Sequence, residues 1–231
     1  MKTKLVLLSL MSVLMAGCFA PINLSYESAK TLNKGQIEVR GMYSRYNAMN
    51  DTLETALINQ NYGVSVGYGF TDKYTVKARY EYISPTITFQ KVFDEVNEEF
   101  NEMNSMSYFE IDNKLMLINN TLSLSLPLGA YFYNTKAVDI KNSGMGWLSF
   151  DPRVYLSFFR KTDIFELTLV PKLHVLFGTF GGYVTPGISL GIGLSSDLDR
   201  WSIRPEIGYD RFLSFGIGAS VNFNTVKQGN N

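Results

Sequence analysis

The one histidine of the chain, His174, is the residue whose type points most directly to acid–base chemistry. An imidazole acts as a general base when a hydroxyl group and a carboxylate lie beside it. Thr185, Ser189 and Glu166 share its polar side of the sequence pattern, with Lys172 close by, but no Gly-x-Ser-x-Gly or comparable motif surrounds a nucleophile. A lone histidine in such a setting is more often part of a polar lining. We therefore expect no catalytic residue and no enzyme.

A second candidate is an acidic stretch in the first half of the chain. Val92, Val96, Phe100 and Met103 recur at helical spacing, which predicts a short amphipathic helix with an acidic face. The carboxylates do not match an EF-hand loop, which needs alternating ligands and a central glycine. The sequence therefore predicts no metal site formed by the protein alone. The acidic residues are Asp94, Glu95, Glu98, Glu99 and Glu102.

Charged residues of both signs recur at alternate positions along most of the chain. Seven cations and seven anions share the polar side of this alternation, and the whole chain has a formal net charge of zero. Such a balance provides no field that would recruit nucleic acid. Enclosed together, these groups are expected to pair, because unpaired buried charges are costly. They are Glu38, Arg40, Lys77, Arg79, Glu81, Glu110, Asp112, Lys114, Asp151, Arg153, Glu166, Lys172, Arg204 and Glu206.

The apolar residues that separate these charges follow a period of two, which indicates strands. The alternation is clearest from Leu122 to Phe132, and ten such segments lie between residues 35 and 224. Proline falls inside several of them and removes a ladder hydrogen bond each time, so bulges or kinks are expected there. These prolines occupy positions 127, 152, 171, 186 and 205.

The links between the segments alternate in length. Short turns lie at 71–73, 119–120, 160–163 and 197–200, and longer links lie at 47–57, 85–105, 134–146 and 177–182. Short periplasmic turns and longer external loops are typical of transmembrane barrels. The pattern predicts an all-β fold, a single antiparallel up-and-down transmembrane β-barrel of about ten strands, with eight or twelve as alternatives. Aromatic residues are expected near both rims, and the amino end in the periplasm.

The first eighteen residues have the form of a secretory signal. Lys2 and Lys4 precede an apolar run that ends at Met15, and small residues then lead to Cys18, the only cysteine. The ending Met-Ala-Gly-Cys resembles a bacterial lipobox, which implies that residues 1–17 are removed and that Cys18 becomes a lipidated first residue. An ordinary signal cut after Ala20 is the alternative. Residues 18–34 are expected to form a periplasmic tether.

With this pattern, residues 35–224 resemble the small outer-membrane β-barrel proteins of Gram-negative bacteria. The last strand ends in Phe223, similar to the terminal aromatic residue that the barrel-assembly machinery recognises, and residues 225–231 form a polar tail. The resemblance implies a location in the outer membrane and contact with its lipid and lipopolysaccharide. It also implies handling by the barrel-assembly and lipoprotein-sorting machinery, an envelope protein partner through the external loops, and no cofactor.

Three functional hypotheses remain. The first is a lipid-anchored barrel with a structural or surface-interaction role and a lumen largely filled by side chains. The second is a narrow passive channel, porin-like, because glycine and serine on the inward faces of the second, eighth and tenth segments leave room there. The third is a lipid-modifying enzyme, which would need His174. On any of them, the acidic helix would form a cap over the barrel mouth, a partner-binding loop, or a divalent-cation site that bridges lipopolysaccharide phosphates.

Overall fold

Ten strands close into one antiparallel barrel in the computed structural model of the protein. The structure describes residues 22–50, 55–89, 105–134, 144–161, 164–178 and 181–225. The predicted all-β barrel of ten strands is confirmed. Its strand segments are β1 (Gln36–Asn50), β2 (Thr55–Thr71), β3 (Tyr74–Phe89), β4 (Ser105–Ile118), β5 (Leu122–Ser125), β6 (Leu128–Asn134), β7 (Gly144–Phe150), β8 (Arg153–Lys161), β9 (Phe165–Gly178), β10 (Gly181–Leu194), β11 (Trp201–Tyr209) and β12 (Leu213–Asn224).

The first and last strands close the barrel. β1 pairs with β2 on one side and with β12 on the other, from Gln36 opposite Asn224 to Asn47 opposite Leu213. The ring continues through every neighbouring pair, including β9 with β10. Over the described ranges this leaves no open sheet edge. Closure satisfies the backbone N–H and C=O groups within the sheet, which the interior of a lipid bilayer requires.

Two of the five prolines at which bulges or kinks were expected interrupt their strands, and this is why twelve segments make ten strands. Pro127 separates β5 from β6, and Pro152 separates β7 from β8, because proline has no N–H to donate to the ladder. The two interruptions lie side by side, since the backbone N–H of Asp151 donates to the carbonyl oxygen of Pro127 at 3.2 Å. The remaining prolines, at 171, 186 and 205, lie within β9, β10 and β11.

The strands reach further at one end of the barrel than the sequence pattern indicated. β1 and β2 remain paired as far as Asn50 and Thr55, and β3 continues to Phe89. The links there are therefore only residues 51–54, 90–104, 135–143 and 179–180, together with the short hairpin at 210–212. The reason is that a ladder is built from backbone groups, so polar side chains do not end it. We call this the loop end.

The opposite end, which we call the turn end, carries the short connections. Residues 72–73, 119–121, 162–164 and 195–200 connect strands there. The residues just before β1 and just after β12 also meet at this rim. The N–H of Gly35 donates to the carbonyl oxygen of Gly69 at 2.8 Å, and the N–H of Thr225 donates to that of Gly35 at 3.0 Å.

The outer face of the barrel is apolar. Val64, Leu128 and Ile217 leave 56%, 59% and 47% of their surface exposed, which is typical of side chains that face lipid. Aromatic rings lie near both rims, as in the outward-facing Phe177 and Tyr209 at the loop end and in the edge-on pair of Tyr68 and Phe70 at the turn end. Such girdles mark the two membrane interfaces.

No helix long and apolar enough to cross a membrane occurs among the residues described.

The interior of the barrel contains a piece of the chain itself. Residues 22–32, which we call the inner segment, are buried, apart from the half-buried Lys30. Residues 18–34 were expected to form a periplasmic tether, and from Ile22 onward the structure differs from that expectation. Ile22, Leu24, Tyr26 and Ala29 carry apolar side chains that become almost completely inaccessible inside the barrel. Burial of such side chains provides the driving force for the segment to enter.

Candidate functional site

The inner segment crosses the lumen from the loop end to the turn end. At the loop end, the N–H of Ile22 donates to the hydroxyl of Tyr131 at 3.2 Å. At the turn end, the N–H of Leu32 donates to Thr75 Oγ1 at 2.9 Å, and Thr31 Oγ1 donates to the carbonyl oxygen of Asp72 at 2.6 Å. The chain then turns at Gly35 and returns as β1. The lumen is therefore occupied along its length.

Glycines in the wall make the room for the segment. A Cβ atom added to Gly216 would lie 2.0 Å from the hydroxyl oxygen of Tyr26, and one added to Gly218 would lie 2.8 Å from the Cβ of Tyr26. On the neighbouring strand, a Cβ on Gly208 would lie 2.8 Å from a side-chain atom of Leu24. Small residues on the inward face of β12 predicted free space. The structure shows that the inner segment fills it.

The wall also holds the backbone of the inner segment by charged side chains. Arg79 Nη2 donates to the carbonyl oxygen of Leu24 at 2.8 Å, and Arg40 Nη1 donates to that of Ser25 at 3.3 Å. Lys172 and Lys114 donate in the same way to Asn23 and Ser28 respectively. Buried backbone groups need partners. The backbone groups of the wall already pair with each other in the sheet, so side chains of the wall supply partners to the backbone of the inner segment.

Glu206 binds two consecutive N–H groups of the segment. Its carboxylate accepts from the N–H of Ser25 at 3.1 Å and from the N–H of Tyr26. Tyr26 has a φ of 57°, the left-handed region that a bulky residue seldom adopts. Successive N–H groups directed at one anion form the kind of concavity known as a nest. The contact with Glu206 thus stabilises a bend that turns the Tyr26 ring toward the glycines.

Glu27 is the centre of the charge network, and the sequence pattern missed it. Its carboxylate lies 3.0 Å from Lys77 Nζ, 2.9 Å from Lys114 Nζ and 3.7 Å from Arg40 Nη1. All four side chains are buried. The alternation of Ile22, Leu24 and Tyr26 could have indicated the inner segment, because it has the same period of two that predicted the strands. It was too short to identify an eleventh extended segment.

The fourteen wall charges predicted from the sequence are all buried. Several pair with each other across or along strands, as in Lys77 with Glu38 at 2.9 Å and Arg204 with Glu166 at 2.8 Å. The further pairs and hydrogen bonds join Arg40 to Glu38 at 2.8 Å, Arg79 to Glu81, Arg153 to Glu110 at 2.5 Å, and Asp112 to Ser125 at 2.5 Å. Lys114, Lys172 and Glu206 differ from these residues, because the contacts described above for them are all with the inner segment. Arg40, Lys77 and Arg79 contact both the inner segment and a carboxylate of the wall.

His174 lies inside the barrel wall next to a carboxylate. Its Nδ1 is 3.3 Å from Asp151 Oδ1, and its side chain is completely buried. Thr185 is its neighbour on β10, whereas Glu166 bonds to Ser157 and Arg204 nearer the turn end. His174 Nε2 has no hydrogen-bond partner among the described residues, so no described hydroxyl is positioned as a nucleophile.

An apolar cluster closes the lumen at the loop end. The rings of Tyr108 and Tyr131 lie 4.3 Å apart between centroids, and Ile22 packs against them. The remaining members are Ile83, Met106, Leu176 and Tyr183, with Trp147 packed alongside. We call these residues the loop-end cluster. It places an apolar layer above the charged region of the lumen.

A small cavity remains at the turn end, beside the inner segment. It has a volume of about 40 Å³ and is lined in part by Glu27, Lys77, Gln36, Asp199 and Asn222. A water molecule needs about 10–15 Å³ of such space, so the cavity suits a few waters and no larger solute. In the described ranges, no group of three or more histidine, cysteine, aspartate or glutamate side chains is arranged to hold a metal ion.

Cys18 and the acidic residues between 94 and 102 lie outside the described residues. The same is true of residues 1–17 and of the tail beyond Thr225. Lipidation, the acidic cap and the signal therefore stay predictions.

No family model matches the chain, and no curated protein matches it. Solved structures do. An outer membrane channel from Pseudomonas putida F1 has a TM-score of 0.52 at 10% identity over 87% of this chain and 100% of that one. The KdgM porin has a TM-score of 0.40 at 14% identity, covering 81% of this chain and 99% of that one. Ail of Yersinia pestis has a TM-score of 0.30 at 7% identity, with 82% and 99% covered. The chain thus has the fold of the Gram-negative outer-membrane β-barrels.

Proposed function

We propose that the protein is an outer-membrane β-barrel closed by its own N-terminal segment, with a structural or surface-interaction role that its outside performs. The observation that carries this proposal is the inner segment, which occupies the lumen from Ile22 to Leu32. The loop-end cluster adds an apolar barrier. The apolar belt and aromatic girdles support a place in a membrane.

The position of the polar groups favours a closed resting state. The inner segment supplies partners to Lys114, Lys172 and Glu206, which would otherwise be charged groups in an enclosed space. Leaving one buried charge unpaired costs several kcal/mol. Spontaneous departure of the segment is therefore strongly disfavoured unless water enters behind it.

Single-channel recording in a planar bilayer tests the closed state. The full mature chain is expected to show no steady conductance. A variant lacking residues 22–32 is expected to conduct, because its charged and glycine-lined wall becomes hydrated. A variant lacking residues 226–231 controls for shortening the chain and is expected to stay silent. Circular dichroism checks that each variant retains its β-structure. Steady conductance of the full chain would contradict the proposal.

A gated channel is the second candidate, and one observation favours it. The groove under the inner segment is lined by charges and glycines, which is the surface of a water-filled path if the segment moves out. Voltage-dependent openings of the full chain would support this candidate. A disulfide between Tyr26→Cys and Gly218→Cys should then abolish the openings, and reduction should restore them.

A lipid-modifying enzyme has less support. His174 is buried within the wall, and its free nitrogen contacts no described hydroxyl group. We accordingly propose a role without catalysis. Outer-membrane lipid and lipopolysaccharide would surround the belt, and the acidic residues between 94 and 102 would be the first place to look for a protein partner.

A further inference from the structure

The direction of the inner segment determines where the chain before it can go. Ile22 lies in the loop-end cluster and bonds to the hydroxyl of Tyr131, whereas Leu32 lies beside Thr75 at the turn end. The chain therefore runs down the lumen from the loop end before it turns into β1. Anything that precedes Ile22 is attached at the loop-end side of the lumen.

The chain before Ile22 is too short to return. Only four residues, 18–21, precede Ile22 if cleavage follows residue 17, and one residue, Pro21, precedes it if cleavage follows Ala20. Four residues span at most about 14 Å when fully extended. To reach the turn end, the amino terminus would have to pass back through the lumen. The inner segment needs eleven residues to cross the lumen and already fills it. A filled lumen and a periplasmic amino terminus are therefore mutually exclusive.

We infer that the amino terminus of the mature chain lies at the loop end, on the cell surface and beside the long links. Acyl chains on a lipidated Cys18 would then enter the outer leaflet, and the barrel would present its first residues to the exterior. This placement rests on the filled lumen of the proposed function and on the orientation expected from the sequence, in which the short turns face the periplasm. It replaces the expectation of a periplasmic tether.

Epitope accessibility on intact cells tests this placement. One epitope is inserted between Ala20 and Pro21, a second within residues 135–143 at the loop end, and a third after Thr225 at the turn end. Antibody is expected to label the first two on intact cells and the third only after the outer membrane is permeabilised. Labelling of the first epitope only after permeabilisation, with the second accessible, would overturn the inference. Surface labelling of the third epitope alone would also overturn the inference, because it would mean that the barrel is inverted in the membrane.

A smaller probe covers the case in which an epitope keeps the segment out of the lumen. The chain is exported behind an ordinary secretory signal with Cys18→Ser, and Pro21→Cys is compared with Thr225→Cys. A membrane-impermeant maleimide is expected to label the Pro21→Cys variant on intact cells and the Thr225→Cys variant only in permeabilised ones. The opposite result would overturn the inference. Conductance is independent of this labelling, so a failure of the closed-barrel proposal would be recognised separately.

Discussion

Replacing Glu27 by alanine is expected to lower the free energy of unfolding by about 3–5 kcal/mol, the usual loss when one partner of a buried ion pair is removed. Glu27 contacts three cations, Lys77, Lys114 and Arg40. Lys77 and Arg40 retain Glu38, but Lys114 loses its ion-pair carboxylate. Denaturant titration of the refolded barrel in lipid vesicles measures the change.

The same segment offers a matched control. Lys30 pairs with Asp199 near the turn end, where both side chains are partly exposed. Lys30→Gln also removes one charge from the inner segment, but exposed pairs contribute only about 0.2–1 kcal/mol. Equal losses for the two variants would contradict the central role of Glu27. Adding Lys114→Met to Glu27→Ala is expected to restore part of the stability, because it removes the unpaired cation.

Replacing Tyr26 by alanine is the second change with a large expected effect. The ring is buried against Gly216 and Gly218, and its hydroxyl donates to the carbonyl oxygen of Tyr43 at 2.9 Å. Truncating a buried aromatic side chain typically costs about 3–5 kcal/mol, because the surroundings collapse only partly into the space. The alanine variant should therefore unfold at a clearly lower denaturant concentration.

A tyrosine on the outside of the barrel provides the control for this change. Tyr209 faces outward with 58% of its surface exposed. In the vesicle, Tyr209→Ala loses contacts with lipid but leaves no cavity inside the barrel, so its loss of stability is expected to be clearly smaller than that of Tyr26→Ala. A Tyr26→Ala variant as stable as Tyr209→Ala would mean that the ring does not pack in the lumen.

The sequence predicts the barrel well because its strands carry a repeated local signal. The alternation from Leu122 to Phe132 marks lipid-facing and inward positions, and the same period recurs around the whole ring. The interruptions at Pro127 and Pro152 were also predictable, because the missing N–H of a proline is a property of that one residue. Strand ends at the loop end were underestimated, since the pairing of Asn50 with Thr55 depends on backbone groups.

The contents of the lumen were not predictable in the same way. The inner segment is held by contacts between residues far apart in the chain, such as Ser25 with Glu206 and Ala29 with Ser157. No local pattern encodes such contacts. The glycines of β12 did indicate free space, yet the sequence alone left open whether solute, water or protein occupies it. Glu27 was missed for the same reason, because its partners come from β1, β3 and β4.

A disulfide tests most directly whether the inner segment lies in the lumen. An added Cβ at Gly218 would lie 2.8 Å from the Cβ of Tyr26, so a small shift brings Tyr26→Cys and Gly218→Cys to the separation of about 3.8 Å that a disulfide needs. In a Cys18→Ser background, the refolded pair is expected to oxidise to a disulfide within one chain. Tyr26→Cys combined with Gly67→Cys, which lies near Leu32 instead, should not. A Tyr26→Cys thiol that stays open to a water-soluble maleimide in the folded barrel would contradict the account.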